Sequence, residues 1–147
     1  MNKKTAFFSL LLVIVSTSIF AQNWVTDLDQ AKTEATKNGK NILLVFSGSD
    51  WCAPCMKLEK FIWQSEEFKT FSKDHFVLLR ADFPKQKKNR LSDEQQSKNE
   101  KLAEKYNTNG YFPLVVVLNK KGEVLGSTGY KNVSPGEYIK QLVALEK

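Results

Sequence analysis

Histidine occurs once, as His75, and cysteine only twice, as Cys52 and Cys55, in a chain of 147 residues. A structural zinc site takes four ligands, drawn mostly from Cys and His. With one histidine and no second CxxC, no metal site is expected, and a copper site built from cysteines plus histidine is equally unsupported. Proline and glycine are sparse, at four and seven residues, which excludes collagen-like and linker-like composition. No internal repeat is visible. Aromatic residues are not interleaved with basic ones in any RNA-binding pattern. The formal charge of +6 therefore bears on solubility and on which surfaces the chain meets, and no nucleic-acid partner is expected. What the chain does have is apolar content. At 41% hydrophobic and 26% charged residues it suits one soluble globular domain, and it is too short for two ordinary ones.

The first 21 residues read differently from the rest. Asn2-Lys3-Lys4 is a basic start, Ala6 to Phe20 is apolar except for small hydroxyl residues, and Ala21 precedes the polar sequence that begins at Gln22. This is the layout of a secretory signal peptide cut after Ala21. The run is short for a bilayer span, which needs about 20 apolar residues, and no cysteine follows it to carry a lipid. The expected domain is then residues 22–147, periplasmic or secreted.

Along that domain, Asp27 to Asn38 reads as a helix capped by Thr26 or Asp27 and stopped at Gly39. Ile42 to Phe46 is an unbroken branched run, the mark of a strand buried on both faces. Met56, Leu58, Phe61 and Ile62 recur at helical spacing after Cys52. A further helix over 65–72 is expected to bury Phe68 and Phe71, and Phe76 to Leu79 is a strand. Residues 84–100 are charged and read as a surface insertion containing Lys85, Lys87, Lys88 and Arg90. Within them Ser92 and Gln95 have capping-box spacing, opening a helix seated by Leu102, Ala103 and Tyr106. Leu114 to Leu118 is the strongest strand signal. Lys120-Lys121-Gly122 turns it into a strand over 123–130, weakened by Gly126 and Gly129 and so placed at an edge. Ser134-Pro135-Gly136-Glu137 opens a last helix, burying Ile139, Leu142, Val143 and Tyr138. The alternation implies an α/β fold: a central mixed sheet in three layers, with helices on both faces.

The two cysteines lie three apart, so a bridge between them closes a loop too small to restrain the unfolded chain appreciably. In an exported protein such a pair is poorly placed as a staple and well placed for chemistry. Cys52 follows a buried strand and a short loop, at the start of a helix. Free backbone N–H groups and the helix dipole there stabilise a thiolate. Lowering a thiol pKa from about 8.5 toward about 7 raises the reactive fraction at neutral pH. Cys52 is therefore expected as the exposed nucleophile. Cys55, one turn further in, is expected as the buried resolving thiol. Pro54 fits the first turn because its missing N–H has no helical partner there. Trp51 offers a flat apolar face beside Cys52.

Trp51-Cys52-Ala53-Pro54-Cys55 resembles the active-site motif of the thioredoxin superfamily. Gly110-Tyr111-Phe112-Pro113, the Leu114 to Leu118 strand and the Gly122-Glu123-Val124 turn match as well. The likeness runs from about Trp24 to Leu145 and is greatest to exported bacterial members with a Ser-Gly-Ser-Asp-Trp-Cys approach. It implies a thioredoxin-like fold, a cis peptide bond before Pro113, and substrate pairing beside Phe112. It also implies thiol–disulfide exchange with protein thiols and disulfides, without a cofactor. Thioredoxin carries a buried acid six residues before its first cysteine, and here that place is Phe46. The lysine after the second cysteine is replaced by Met56, with Lys57 following, and residues 84–100 exceed the plain core.

The Ala-Pro dipeptide suggests the reducing or isomerising direction, because the intervening residues tune thiolate stability. A reductant in an oxidising compartment needs an electron donor, expected to be a membrane protein, and the chain itself is expected to be monomeric. The alternative is a polypeptide-binding or chaperone module that uses the groove around Trp51 and Phe112 without turnover.

Overall fold

The computed structural model describes residues 22–147; the expected signal peptide, residues 1–21, lies outside them. The elements run β1 (Trp24–Val25), α1 (Leu28–Asn38), β2 (Asn41–Ser47), α2 (Ala53–Leu58), α3 (Glu66–His75), β3 (Phe76–Asp82), α4 (Asp93–Tyr106), β4 (Leu114–Leu118), β5 (Val124–Thr128) and α5 (Pro135–Ala144). A π-helical stretch, Glu59–Trp63, continues α2, and a 3₁₀ turn, Lys87–Asn89, precedes α4. No helix among the described residues is long and apolar enough to cross a membrane.

The helices begin where short polar side chains can take an unpaired backbone N–H. Asp27, Ser65, Ser92 and Ser134 accept from Gln30, Phe68, Gln95 and Glu137 respectively. Such a cap is worth about 0.5–2 kcal/mol over alanine. The capping box expected at Ser92 is made in one direction. The Gln95 side-chain amide goes instead to Thr26 O at 3.0 Å and Asn99 Oδ1 at 2.8 Å, binding α4 to the start of α1. Gly39 ends α1 at φ 64°, a left-handed backbone that glycine adopts without a Cβ penalty.

The five strands form one sheet in the order β1-β3-β2-β4-β5. β2 and β1 run parallel to β3, and β4 lies antiparallel to both β2 and β5. The expected three-layer mixed sheet is thus present. β2 is central and covered on both faces, which is why its sequence does not alternate. Ile42, Leu44 and Phe46 face α1 and α4, with Ala31, Ala35 and Leu102. Leu43 and Val45 face Leu58, Ile62, Trp63, Phe68, Tyr138 and Leu142. β5 is an edge strand as expected, with Val124 56% exposed. Its Gly126 has a packing reason, since a Cβ there would stand 2.9 Å from the Leu145 side chain.

Several expectations are corrected. Leu58 and Ile62 are buried, but Met56 and Phe61 point outward at 46% and 53% exposure, and Trp63 takes the inner position instead. The π-helical geometry of 59–63 shifts the inward register by part of a turn. Phe71, Ile139 and Val143 are only half-buried, whereas Tyr138 is fully enclosed. His75 ends α3, and its Nε2 pairs with Glu146 Oε2 at 2.7 Å. Residues 93–100 are the first two turns of α4, with Asn99 buried, so only the segment before them is a surface excursion.

Candidate active site

β2 delivers the chain to the site. After Ser47 the backbone turns, with Cys52 N donating to Gly48 O at 2.9 Å. Asp82, at the end of β3, secures this turn by accepting from Ser49 N at 2.9 Å and from Ser49 Oγ at 2.6 Å. Phe83 N donates to Ser47 O at 2.8 Å. Asn99 Nδ2 donates to Asp82 O at 2.8 Å, so α4 braces the same corner.

Cys52 and Cys55 are joined as a disulfide with 5.2 Å between their Cα atoms. Cys52 is the N-cap of α2, and its Sγ accepts from Cys55 N–H at 3.3 Å. Pro54 sits in the first turn, where its missing N–H donor has no intrahelical partner to lose. The expected difference in exposure is absent: Cys52 is 4% exposed and Cys55 3%. What separates the two sulfurs is position. Only Cys52 lies at the helix start, where an N–H donor and the dipole favour negative charge on sulfur. Cys55 borders a cavity of about 380 Å³ that also touches Met56, Glu59, Lys60 and Arg80.

Phe46 is fully buried among aliphatic side chains, an environment in which an ionised carboxylate would be strongly penalised. The acid that shares the Cys55 cavity is Glu59, one turn along the helix. Its Oε2 accepts from Arg80 Nη2 at 2.7 Å, and its Oε1 from Gln64 Nε2 at 2.6 Å.

Trp51 is held on every side. Its Nε1 donates to Phe83 O at 2.7 Å, and Phe112 meets it edge-on at 5.4 Å. Phe83 packs against Phe112 at 5.5 Å, and Lys85 Nζ lies 3.9 Å from the indole centroid. Gly48 is the floor beneath: a Cβ there would come within 2.6 Å of indole Cζ2 and Nε1. Trp51 nevertheless remains 37% exposed.

The peptide bond Phe112–Pro113 is cis, as the resemblance implied. Leu114 pairs with Phe46 across the antiparallel β2–β4 ladder, so Pro113 arrives beside the end of β2, next to the cysteine loop. The approach is fixed by buried Asn107, which exchanges two 2.9 Å hydrogen bonds with the backbone of Tyr111. All five residues singled out from the sequence, Trp51, Cys52, Cys55, Phe112 and Pro113, thus converge at one end of the sheet.

Asp50 was not placed by the sequence and proves to be a clamp. Its carboxylate accepts from Lys85 N at 2.9 Å, Gln86 N at 3.0 Å and Asn89 Nδ2 at 2.9 Å, and its carbonyl accepts from Gln86 Nε2 at 3.3 Å. The Lys85 N–H, followed by the Asn89 amide, holds its carboxyl below the ordinary range. Phe83 and Asn107 also went unnoticed in the sequence, and Lys85 was read only as part of a basic surface segment. Only Asp50, a lone acid beside the cysteine motif facing a run of lysines, offered a signal.

Comparison with known proteins agrees with this arrangement. A family model described as thioredoxin-like matches residues 23–120. A disulfide bond reductase, DsbH, of Chlamydia pneumoniae is 34% identical over 113 residues, covering 77% of this chain and 66% of that protein. The thioredoxin-related protein DsbJ of the same organism is 29% identical over 108 residues, or 72% of this chain and 30% of DsbJ. The solved structure of a DsbH oxidoreductase superposes with a TM-score of 0.78 at 30% identity, covering 86% of this chain and 85% of that one.

Proposed function

This chain belongs to the thioredoxin-like family, and on that premise we propose that it is an exported thiol–disulfide oxidoreductase acting on protein disulfides in the reducing or isomerising direction. The observation that carries the reading is the Cys52–Cys55 disulfide itself, whose first sulfur caps α2 beside the cis Phe112–Pro113 bond. In the reduced protein the Cys52 thiolate attacks a substrate S–S bond. One substrate sulfur leaves as a thiolate, and a mixed disulfide forms on Cys52. The Cys55 thiolate then attacks Cys52 Sγ, releases the second substrate sulfur and leaves the disulfide described above. Two electrons from a dithiol donor restore the starting state.

The Ala53-Pro54 pair, close to that of thioredoxin, supports the reducing direction, as does the reductase activity in the name of the 34% identical relative. The basic start and apolar run of residues 1–21 support export, and an exported reductant draws its electrons from a membrane-bound donor. Trp51 and Phe112 supply the apolar wall for a substrate chain, and Pro113 the backbone turn beside it.

The deciding experiment is the equilibrium reduction potential in defined dithiothreitol and glutathione buffers, run together with Cys55→Ser. A potential near about −270 mV supports a reductase, and one near about −120 mV marks an oxidant and overturns the direction. Cys55→Ser should accumulate a mixed disulfide through Cys52. If the disulfide does not form reversibly, the binding-module alternative replaces this reading.

A further inference from the structure

The charges around the disulfide are unevenly satisfied. Every carboxylate near it is already engaged within the protein: Asp50 by the N–H groups of residues 85–89, Asp82 by Ser49, and Glu59 by Arg80 and Gln64. The lysines are not matched in the same way. Lys85, Lys87 and Lys88 are exposed, and none of the three is in an ion pair among the described residues. Lys85 Nζ rests on the Trp51 indole, and Lys60 lines the cavity that reaches Cys55.

The position of these lysines is built in. Asp50 stands two residues before Cys52 and fastens the 85–89 segment by four hydrogen bonds. Three of those bonds go to the Asp50 carboxylate and one to its carbonyl, and together they hold the basic segment against the active-site loop. The result is an apolar wall, Trp51 and Phe112, with a basic rim in which Lys85 lies on the indole and Lys87 and Lys88 follow in the same fastened segment.

We propose that this rim selects polypeptide disulfides flanked by acidic side chains. The proposal rests on the thiol–disulfide reading above and names its substrate class. Carboxylates beside a disulfide repel an attacking thiolate and hinder departure of a thiolate leaving group. Lysine ammonium groups counter both effects over a range set by the Debye length, about 8–10 Å, and also steer the encounter. A neutral disulfide gains nothing from them, and a basic one is repelled.

The test uses the reduced protein and three disulfides: a peptide flanked by Asp and Glu, the same peptide flanked by Lys, and neutral hydroxyethyl disulfide as the reference. Rates are read by stopped-flow fluorescence for the native sequence and for Lys85→Gln/Lys87→Gln/Lys88→Gln. At low ionic strength the acidic peptide should react about tenfold or more faster than the basic one, relative to the reference. The advantage should shrink to about twofold or less in about 0.5 M salt, and the triple variant should lose most of it. Equal rates at low salt, or a preference that survives the triple variant, would overturn the proposal. So would binding to anionic phospholipid vesicles without peptide discrimination, which would assign the rim to a membrane surface. If none of the three disulfides is reduced, it is the oxidoreductase reading that fails.

Discussion

Trp51 shows how a single position can be set by a residue that has no side chain. Its indole is bonded to Phe83 O, packed edge-on by Phe112 and covered by Lys85. That pose exists only because Gly48 leaves the space under the ring. The backbone at Gly48 is not left-handed, so the requirement is one of contact and not of conformation. Gly48→Ala should therefore destabilise the protein by about 1–3 kcal/mol, the usual range for overpacking. In a Trp51→Ala background the same change should cost less than about 0.5 kcal/mol, because the clash partner is gone. The four urea midpoints, of the native protein, both single variants and the double variant, form a double-mutant cycle. An equal cost in both backgrounds would mean that Gly48 serves the turn itself, independently of the indole.

At the scale of elements, the segment between β3 and α4 is the part that the fold does not require and the site uses. It carries no strand pairing and is held mainly by Asp50. The Lys85 N–H, then the Asn89 amide and the Gln86 N–H, keep the Asp50 carboxyl below its ordinary value. A carboxyl depressed in the folded state contributes its docking fully above the unfolded value, about 3.9. That contribution is lost as pH falls through the lower folded value. The amide resonances of Lys85 and Gln86 should therefore shift with a midpoint below about 3.9 and lose that titration in Asp50→Asn. A midpoint at or above the ordinary value would contradict the clamp. Such a clamp is nearly invisible in a sequence, since its partners are backbone N–H groups 35 and 36 residues away. Other features were legible because their signals are local. Asp27, Ser65, Ser92 and Ser134 mark helix starts through their own side chains, and the branched runs of β2 and β4 record burial on two faces. Gly110 to Pro113 carried the cis bond through its likeness to a known motif. β1 escaped notice because two residues make no pattern, and only pairing with β3 defines it. The inward turn of Trp63 escaped because the π-helical stretch departs from the 3.6-residue period on which the pattern rests.

At the scale of the whole molecule, the redox centre and the stability of the fold are linked in one thermodynamic cycle. The cysteines are three residues apart, so closing them restrains the unfolded chain very little. A difference in stability between oxidised and reduced protein must then arise chiefly in the folded state. There, both cysteines are almost wholly buried. Reduction replaces an uncharged bridge by two thiols, and any negative charge that develops is best placed on Cys52, at the start of α2. Desolvation opposes that charge, while the Cys55 N–H, the helix start and the surrounding lysines favour it. If desolvation dominates, the folded protein prefers the disulfide, its potential lies below that of the unfolded chain, and it donates electrons. If the favourable contacts dominate, the reduced form is the more stable and the protein is an oxidant, as for proteins whose reduced state is strongly stabilised. The proposed reductase should therefore unfold at a lower urea concentration after reduction than before it. Each 30 mV by which folding lowers the potential corresponds to about 1.4 kcal/mol of that difference. A higher midpoint for the reduced protein would reverse the assigned direction without reference to any partner. The sign of the change, read from two unfolding curves, tests whether burial or the basic rim controls the chemistry of Cys52.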